Sequence, residues 1–142
     1  MATDALDAIR ARTESNLFWR HLGVKVVEAD EGRVRLRVAI RDELRNAVNA
    51  PVHGGVLSAL VDMAVGGALA TLHEESAGGV GQTTLDLNVS FLAAARGPEL
   101  FAEGRILKRG RSIVFGETTV TDGEGKVVAV GRATYMISAP RS

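Results

Sequence analysis

The chain has no cysteine among its 142 residues. That excludes disulfides, thiolate catalysis and zinc–thiolate sites, and it suits a reducing compartment. It also lacks an excess of either charge, since 17 Lys+Arg balance 17 Asp+Glu. A surface that neutralises nucleic-acid phosphates carries a basic excess, so nucleic acid is not an expected partner. No His or acidic cluster has metal-ligand spacing, so no metal is expected. The first residues, MATDALDAIRARTESNLFWRHLG, are charged and hold no apolar core of about 7–15 residues, so they do not read as a secretory signal. The longest apolar stretch, residues 56–72, is interrupted by Asp62 and sits at the short limit for a membrane span. Repeats, linkers and low-complexity tracts are absent. These absences together predict a soluble cytoplasmic protein without a membrane partner.

What is present reads as one domain over residues 1–142, with 46% hydrophobic content, enough for a real core. Leu6, Ile9, Leu17 and Phe18 stand among charges, which predicts an amphipathic N-terminal helix within residues 1–20. A strand at 24–29 and a turn at Glu31-Gly32 follow. Val34, Leu36, Val38 and Ile40 then alternate with Arg33, Arg35, Arg37 and Arg41, the pattern of a half-buried strand. The arginine face of that strand is expected to meet solvent or to protect a sheet edge. Residues 42–53, with Asn46, Asn49 and Pro51, read as a loop.

Residues 54–73 are apolar on all sides, as in a buried central helix. Gly66-Gly67 inside it costs roughly 1 kcal/mol per glycine relative to alanine, which close approach of another backbone would offset. After a glycine-rich loop at 78–81, Leu85, Leu87, Val89 and Phe91 alternate with Thr84, Asp86, Asn88 and Ser90. Further strands are expected at 99–109, 111–121 and 126–138, with turns at Gly110 and Asp122-Gly123. The implied class is α+β, an antiparallel sheet of five to six strands wrapped around the central helix.

Asp62 is the anomaly. It is the one ionisable group in the apolar segment, and aspartate is almost never fully buried unless paired. No Lys, Arg or His lies within four residues of it. Either a distant group satisfies it as a structural carboxylate, or it faces a cleft as a general base or nucleophile. At the start of the same helix, His53-Gly54-Gly55 puts two side-chain-free residues where amides lack partners. Such amides either form a plain glycine cap or hold an oxyanion. Gly54 and Asp62 lie ~12 Å apart along a helix, too far to act on one carbon. Two antiparallel helices across a two-fold axis would bring Gly54 of one against Asp62 of the other, so an enzyme of this kind would be a homodimer with two composite sites.

The His53-Gly54-Gly55 stretch, with Asp62 nine residues after the histidine, resembles the PaaI-type acyl-CoA thioesterases, hotdog-fold members of the 4-hydroxybenzoyl-CoA thioesterase superfamily. TTLDLNVSFLAAA at 83–95 and GRILKRGRSIVFGETTVTDGEGKVVAVGRATYMI at 104–137 are similar to the family's later strands. The resemblance implies hydrolysis of an aryl- or medium-chain acyl-CoA, with coenzyme A as part of the substrate and no cofactor. It makes Asp62 the base or nucleophile and the Gly54 amide the oxyanion donor, with Gly55 beside it. Thr84 takes the place of a Ser or Thr that positions the nucleophile, although strand periodicity puts Thr84 on the face opposite Leu85 and Leu87. Where many relatives have an asparagine six residues before the histidine, this chain has Ala47. Asn46 or Asn49 would then reach the thioester, unless both are turn formers. His53 either polarises the site or is structural. Lys108, Arg109 and Arg111 either meet the CoA phosphates or form a solvated hairpin. Phe18 and Trp19 would line the acyl pocket. The resemblance also implies a homodimer that pairs into a dimer of dimers. An acyl-carrier-protein substrate and a non-catalytic acyl-CoA binding module are the competing readings. A hydratase would need a histidine about five residues from the acid, and His73 is eleven residues from Asp62.

Overall fold

The computed structural model describes residues 2–73 and 81–138. The glycine-rich loop expected at 78–81 lies outside them except for Gly81. The described chain runs through α1 (Ala2–Glu14), α2 (Leu17–Leu22), β1 (Lys25–Asp30), β2 (Arg33–Ala39), a 3-10 turn at Asp42–Leu44, α3 (Gly54–Ala70), β3 (Gly81–Phe91), β4 (Glu99–Arg109), β5 (Ile113–Asp122) and β6 (Val127–Ser138). The six strands form one sheet in the order β1-β2-β4-β5-β6-β3, and every pairing is antiparallel. The expected class and element order are therefore those observed.

Two boundaries differ from the sequence expectation. The N-terminal segment is two helices, because Asn16 leaves the helical conformation and caps the next one. Its side chain accepts from the amides of Phe18 and Trp19, and a side-chain oxygen at that position favours a new helix start. Gly23 ends α2 in the left-handed region at φ 79°, where only glycine is at ease. The central helix stops at Ala70 rather than at residue 73.

α3 lies across the sheet, burying Leu57, Leu60, Val61, Ala64, Val65, Ala68 and Leu69 against Val34, Leu36, Leu100, Ala102, Val114, Ala129 and Ala133. The close helix–sheet approach is made by sheet glycines. A Cβ on Gly104 of β4 would fall 2.5 Å from the Ala64 carbonyl carbon and oxygen, and one on Gly116 of β5 would fall 2.5 Å from Val65. Backbone approach was expected at Gly66 and Gly67 instead. What approaches those two is side chains: the Tyr135 hydroxyl and Gln82 at Gly66, and Val34 and Trp19 at Gly67.

The arginine face of β2 meets solvent, as expected, but is not at an edge and is paired across strands. β2 lies between β1 and β4. Arg33 pairs with Glu28, Asp30 and Glu103, Arg37 pairs with Glu99, and Arg35 lies over the Phe101 ring at 4.3 Å. These are cross-strand contacts on an outward face, each worth a few tenths of a kcal/mol to about 1 kcal/mol.

Gly104→Ala should lower stability by about 1–3 kcal/mol, since the new methyl meets helix backbone that cannot turn aside. Thermal unfolding should show a fall in Tm of roughly 5–10 °C. Gly123→Ala, whose Cβ would have only Glu99 Cγ nearby at 3.8 Å, should leave Tm nearly unchanged.

Candidate functional site

Asp62 sits mid-way along α3 between two buried residues, Val61 and Met63. No cation pairs with it among the described residues. Two hydroxyls satisfy it instead. Thr84 Oγ1 donates to Asp62 Oδ1 at 2.8 Å, and the Tyr135 hydroxyl lies 2.7 Å from the same oxygen. Among the described residues, Asp62 Oδ2 receives no hydrogen bond, yet none of them that is not exposed hides an unpartnered side-chain oxygen. Oδ2 is therefore open to its surroundings.

Those surroundings are a cavity of about 380 Å³. Asn16, Phe18 and Trp19 at the start of α2, Ala59, Met63, Gly66 and Gly67 of α3, and Gln82, Thr84 and Tyr135 of the sheet line it together with Asp62. Phe18 and Trp19, expected at the acyl pocket, line the same cavity as Asp62. Its lining is mixed: Phe18, Trp19, Ala59 and Met63 supply an apolar stretch that can take a hydrophobic group, and Asn16, Asp62, Gln82, Thr84 and Tyr135 supply polar atoms.

Thr84 reaches Asp62 because β3 is irregular. Thr84 pairs with Tyr135 and Asp86 with Thr134, so Leu85 is an extra, bulged residue. The bulge inverts the face alternation. Before it, Gln82 and Thr84 point to α3; after it, Leu87 lies opposite buried Ala133, and Phe91 opposite buried Ala129. Simple periodicity had put Thr84 on the opposite face from Leu87, and that expectation is corrected by one inserted residue.

Burial pushes the Tyr135 phenol well above its ordinary range; the Thr84 hydrogen bond opposes this, and Asp62 adds to it. The hydroxyl thus stays protonated at working pH and can donate. Gln82 Nε2 donates to the Gly66 carbonyl at 2.8 Å, and its Oε1 lies 2.9 Å from His73 Nε2. Burial pulls the His73 imidazole down, the Arg12 and Arg109 charges pull it further, and the Gln82 bond opposes them.

At the start of α3, the extended His53 is the N-cap, and its Nδ1 accepts the Gly55 amide at 2.8 Å. His53 and Gly55 are thus engaged with each other, a structural cap that fixes the helix start. The Gly54 amide makes no hydrogen bond among the described residues, and the Phe91 ring lies over Gly54. Asn46 and Asn49 form the preceding turn. Asn46 N–H donates to the Pro51 carbonyl, and Asn49 takes φ 65° with its carbonyl accepting from Arg96. None of Asn46, Asn49, His53, Gly54 or Gly55 lines the Asp62 cavity of its own chain. Lys108, Arg109 and Arg111 are exposed on the β4–β5 hairpin around Gly110, with Arg109 bonded to the Gly110 carbonyl. Arg109 acts on His73, so the hairpin lies towards the far end of α3 from Gly54.

The sequence reading missed Tyr135 and Gln82. Tyr135 is the chain's only tyrosine and lies two residues from Ala133 on the inward face of β6. A buried phenol needs a partner for its hydroxyl, so that pairing was a signal. Gln82 shares the Thr84 face only because the strand extends back to Gly81.

A family model described as the thioesterase superfamily matches residues 51–129. A Halobacterium salinarum protein carrying the name "Putative esterase" is 34% identical, aligning 96% of this chain with 94% of that one. The Escherichia coli medium/long-chain acyl-CoA thioesterase YigI is 29% identical over 65% of this chain and 66% of its own length. Among solved structures, the Escherichia coli PaaI protein from the phenylacetic acid degradation operon superposes with a TM-score of 0.84 over 97% of this chain and 96% of that one. Its identity of 19% makes that a likeness of fold.

The Asn16 cap holds α2, and with it Trp19, over the cavity. Asn16→Ala should cost about 1 kcal/mol. Trp19 is the only tryptophan and is 8% exposed, so the emission maximum should shift to the red as α2 loosens. An unchanged spectrum and Tm would show that α2 is held by packing alone.

Proposed function

The chain belongs to the thioesterase superfamily and is a thioester hydrolase, and from that premise we propose that it hydrolyses acyl-CoA esters with an aryl or medium-chain acyl group, using Asp62 as base or nucleophile. The observation that carries the reading is the Asp62 carboxylate lining a cavity that also offers apolar side chains, with two neutral donors on Oδ1 and Oδ2 left open. The acyl group would lie along Phe18, Trp19, Ala59 and Met63. With Asp62 as base, water oxygen bonds to the carbonyl carbon as Asp62 takes its proton, the C–S bond breaks, and that proton passes to the departing thiolate of CoA. With Asp62 as nucleophile, Oδ2 bonds to the carbonyl carbon and expels the thiolate, and water then cleaves the anhydride to give the acid, the free carboxylate and the proton that the thiolate takes up. YigI, whose printed name specifies acyl-CoA, supports CoA as the carrier.

The oxyanion donor in this reading is the Gly54 amide of a second copy. Within one chain, Gly54 and Asp62 are separated by eight residues of continuous helix, ~12 Å, and Gly54 does not line the cavity. β3, at the end of the strand order, carries Leu85, Leu87 and Phe91 at 53%, 38% and 54% exposure. An edge strand with such side chains is suited to pairing with its own copy. That pairing would bring the two α3 helices together.

Free-thiol release across a panel of acyl-CoAs and acyl-carrier-protein thioesters tests the activity and the carrier. Asp62→Asn should lower kcat about 10²–10⁴-fold with the fold retained. Binding of acyl-CoA without turnover by the parent would leave a ligand-binding module. Gly54→Pro tests the amide itself. The extended His53, φ −60° and ψ 136°, suits a following proline, and proline is tolerated at the first helical position while lacking the N–H. It should lower kcat about 10²–10³-fold. Re-equilibrated mixtures of Gly54→Pro and Asp62→Asn subunits should recover about a quarter of parental activity, because half of the dimers would be mixed and each has one intact site of two. No recovery under demonstrated subunit exchange would sink the shared site.

A further inference from the structure

Resting on the reading of Asp62 as the reacting carboxylate, we propose that Tyr135 is a positioning residue whose hydroxyl, together with that of Thr84, clamps Asp62 Oδ1 so that Oδ2 alone is presented to the thioester. Tyr135 lies beyond the residues matched by the family model, which end at 129.

The geometry is specific to one oxygen. Thr84 Oγ1 at 2.8 Å and the Tyr135 hydroxyl at 2.7 Å both address Oδ1. The Tyr135 oxygen also lies 2.9 Å from the Asp62 main-chain carbonyl. Its one proton thus serves the side chain or the main chain of the same residue, and in either case the phenol is lodged against Asp62. A carboxylate without such donors turns freely and exposes either oxygen. With the Tyr135 proton on Oδ1 beside that of Thr84, that oxygen's lone pairs are committed, and Oδ2 keeps its lone pairs for a proton or a carbonyl carbon. Holding a reacting group in one orientation is a recognised source of rate, and donors to an ionised acceptor are the stronger hydrogen bonds. Burial keeps the phenol protonated, so it acts as a donor throughout the working range.

Gly66 is the second part of the device. It lies one turn beyond Asp62 on α3, and a Cβ there would stand 2.7 Å from the Tyr135 oxygen, with Tyr135 Cζ and Gln82 Nε2 each at 3.3 Å. A mid-helix glycine costs roughly 1 kcal/mol relative to alanine. Here it provides the notch through which the hydroxyl reaches the helix. The assignment separates the two cavity glycines: Gly66 admits the phenol, while Gly67 faces Val34 and Trp19.

The experiment is a mutant cycle read by kcat, KM and Tm on the acyl-CoA ester turned over fastest by the parent. Tyr135→Phe keeps the ring and removes only the donor. It should lower kcat about 10- to 100-fold, with KM within about twofold and little change in Tm. Gly66→Ala keeps the tyrosine but displaces its hydroxyl, and should give a similar loss of kcat. In the Tyr135→Phe background, Gly66→Ala should cost little more, because the group it displaces is already gone. Thr84→Ala with Tyr135→Phe removes both donors and should fall towards the level of Asp62→Asn. Parental kcat in Tyr135→Phe overturns the proposal, and so do Tyr135→Phe and Gly66→Ala losses that simply multiply. A kcat that merely follows Tm across the set also overturns it, since packing alone would do that. Parental kcat in Asp62→Asn overturns the reading on which the proposal rests, whatever Tyr135 does.

Discussion

A carboxyl group on an apolar helix must be given donors where it stands, and the local structure is organised around that requirement. An unpartnered polar group away from water costs several kcal/mol, and a cation would satisfy Asp62 at the price of neutralising it. The chain uses neutral hydroxyls from two strands instead. Two neutral donors hold the carboxylate without forming an ion pair, and because both fall on Oδ1 the other oxygen remains available. The bulge in β3, the glycine at position 66 and the lone tyrosine of β6 all serve that one placement. Each is a local departure from regular strand or helix, and functional sites are where such departures are expected.

The fold was legible because its signals are periodic and local. The alternation on β2 and the apolar run of α3, interrupted by Asp62, marked a strand and a buried helix, and the turns at Gly32 and Gly110 fell between observed strands. Asp62 was legible for the opposite reason, as a chemical exception within a pattern. Its partners were not, because they come from strands 22 and 73 residues away, and register rather than spacing brings them in. A single bulged residue decided which way Thr84 faces, and no pattern in Thr84-Leu85-Asp86 marks which residue is extra. The division of the N-terminal segment at Asn16 had a readable cap, but the charges on both sides continued the helical pattern and hid it. The arginines of β2 gave the strand but not their neighbours, since Glu99 and Glu103 lie across a pairing that only the tertiary structure defines.

The same distinction applies to what a single copy leaves incomplete. Its cavity is lined by the Asp62 carboxylate but not by the Gly54 amide that the proposed reaction would use as oxyanion donor. Its helix start has an unengaged amide at Gly54, held in place by the His53 cap and covered by Phe91. Phe91 belongs to β3, the strand that also carries Thr84, so one strand touches both Asp62 and Gly54. Any movement of β3 along its own axis would therefore disturb the clamp on Asp62 and the cover on Gly54 together. β3 is last in the sheet and carries exposed Leu85, Leu87 and Phe91, and an unpaired edge strand is a template for pairing with another chain. Pairing that edge with a second copy would stabilise β3, and so stabilise the orientation of Asp62 by the same contact that brings the missing amide. Assembly and catalytic alignment would then be one interaction, and a substitution that weakened the edge would lower kcat before it unfolded the chain.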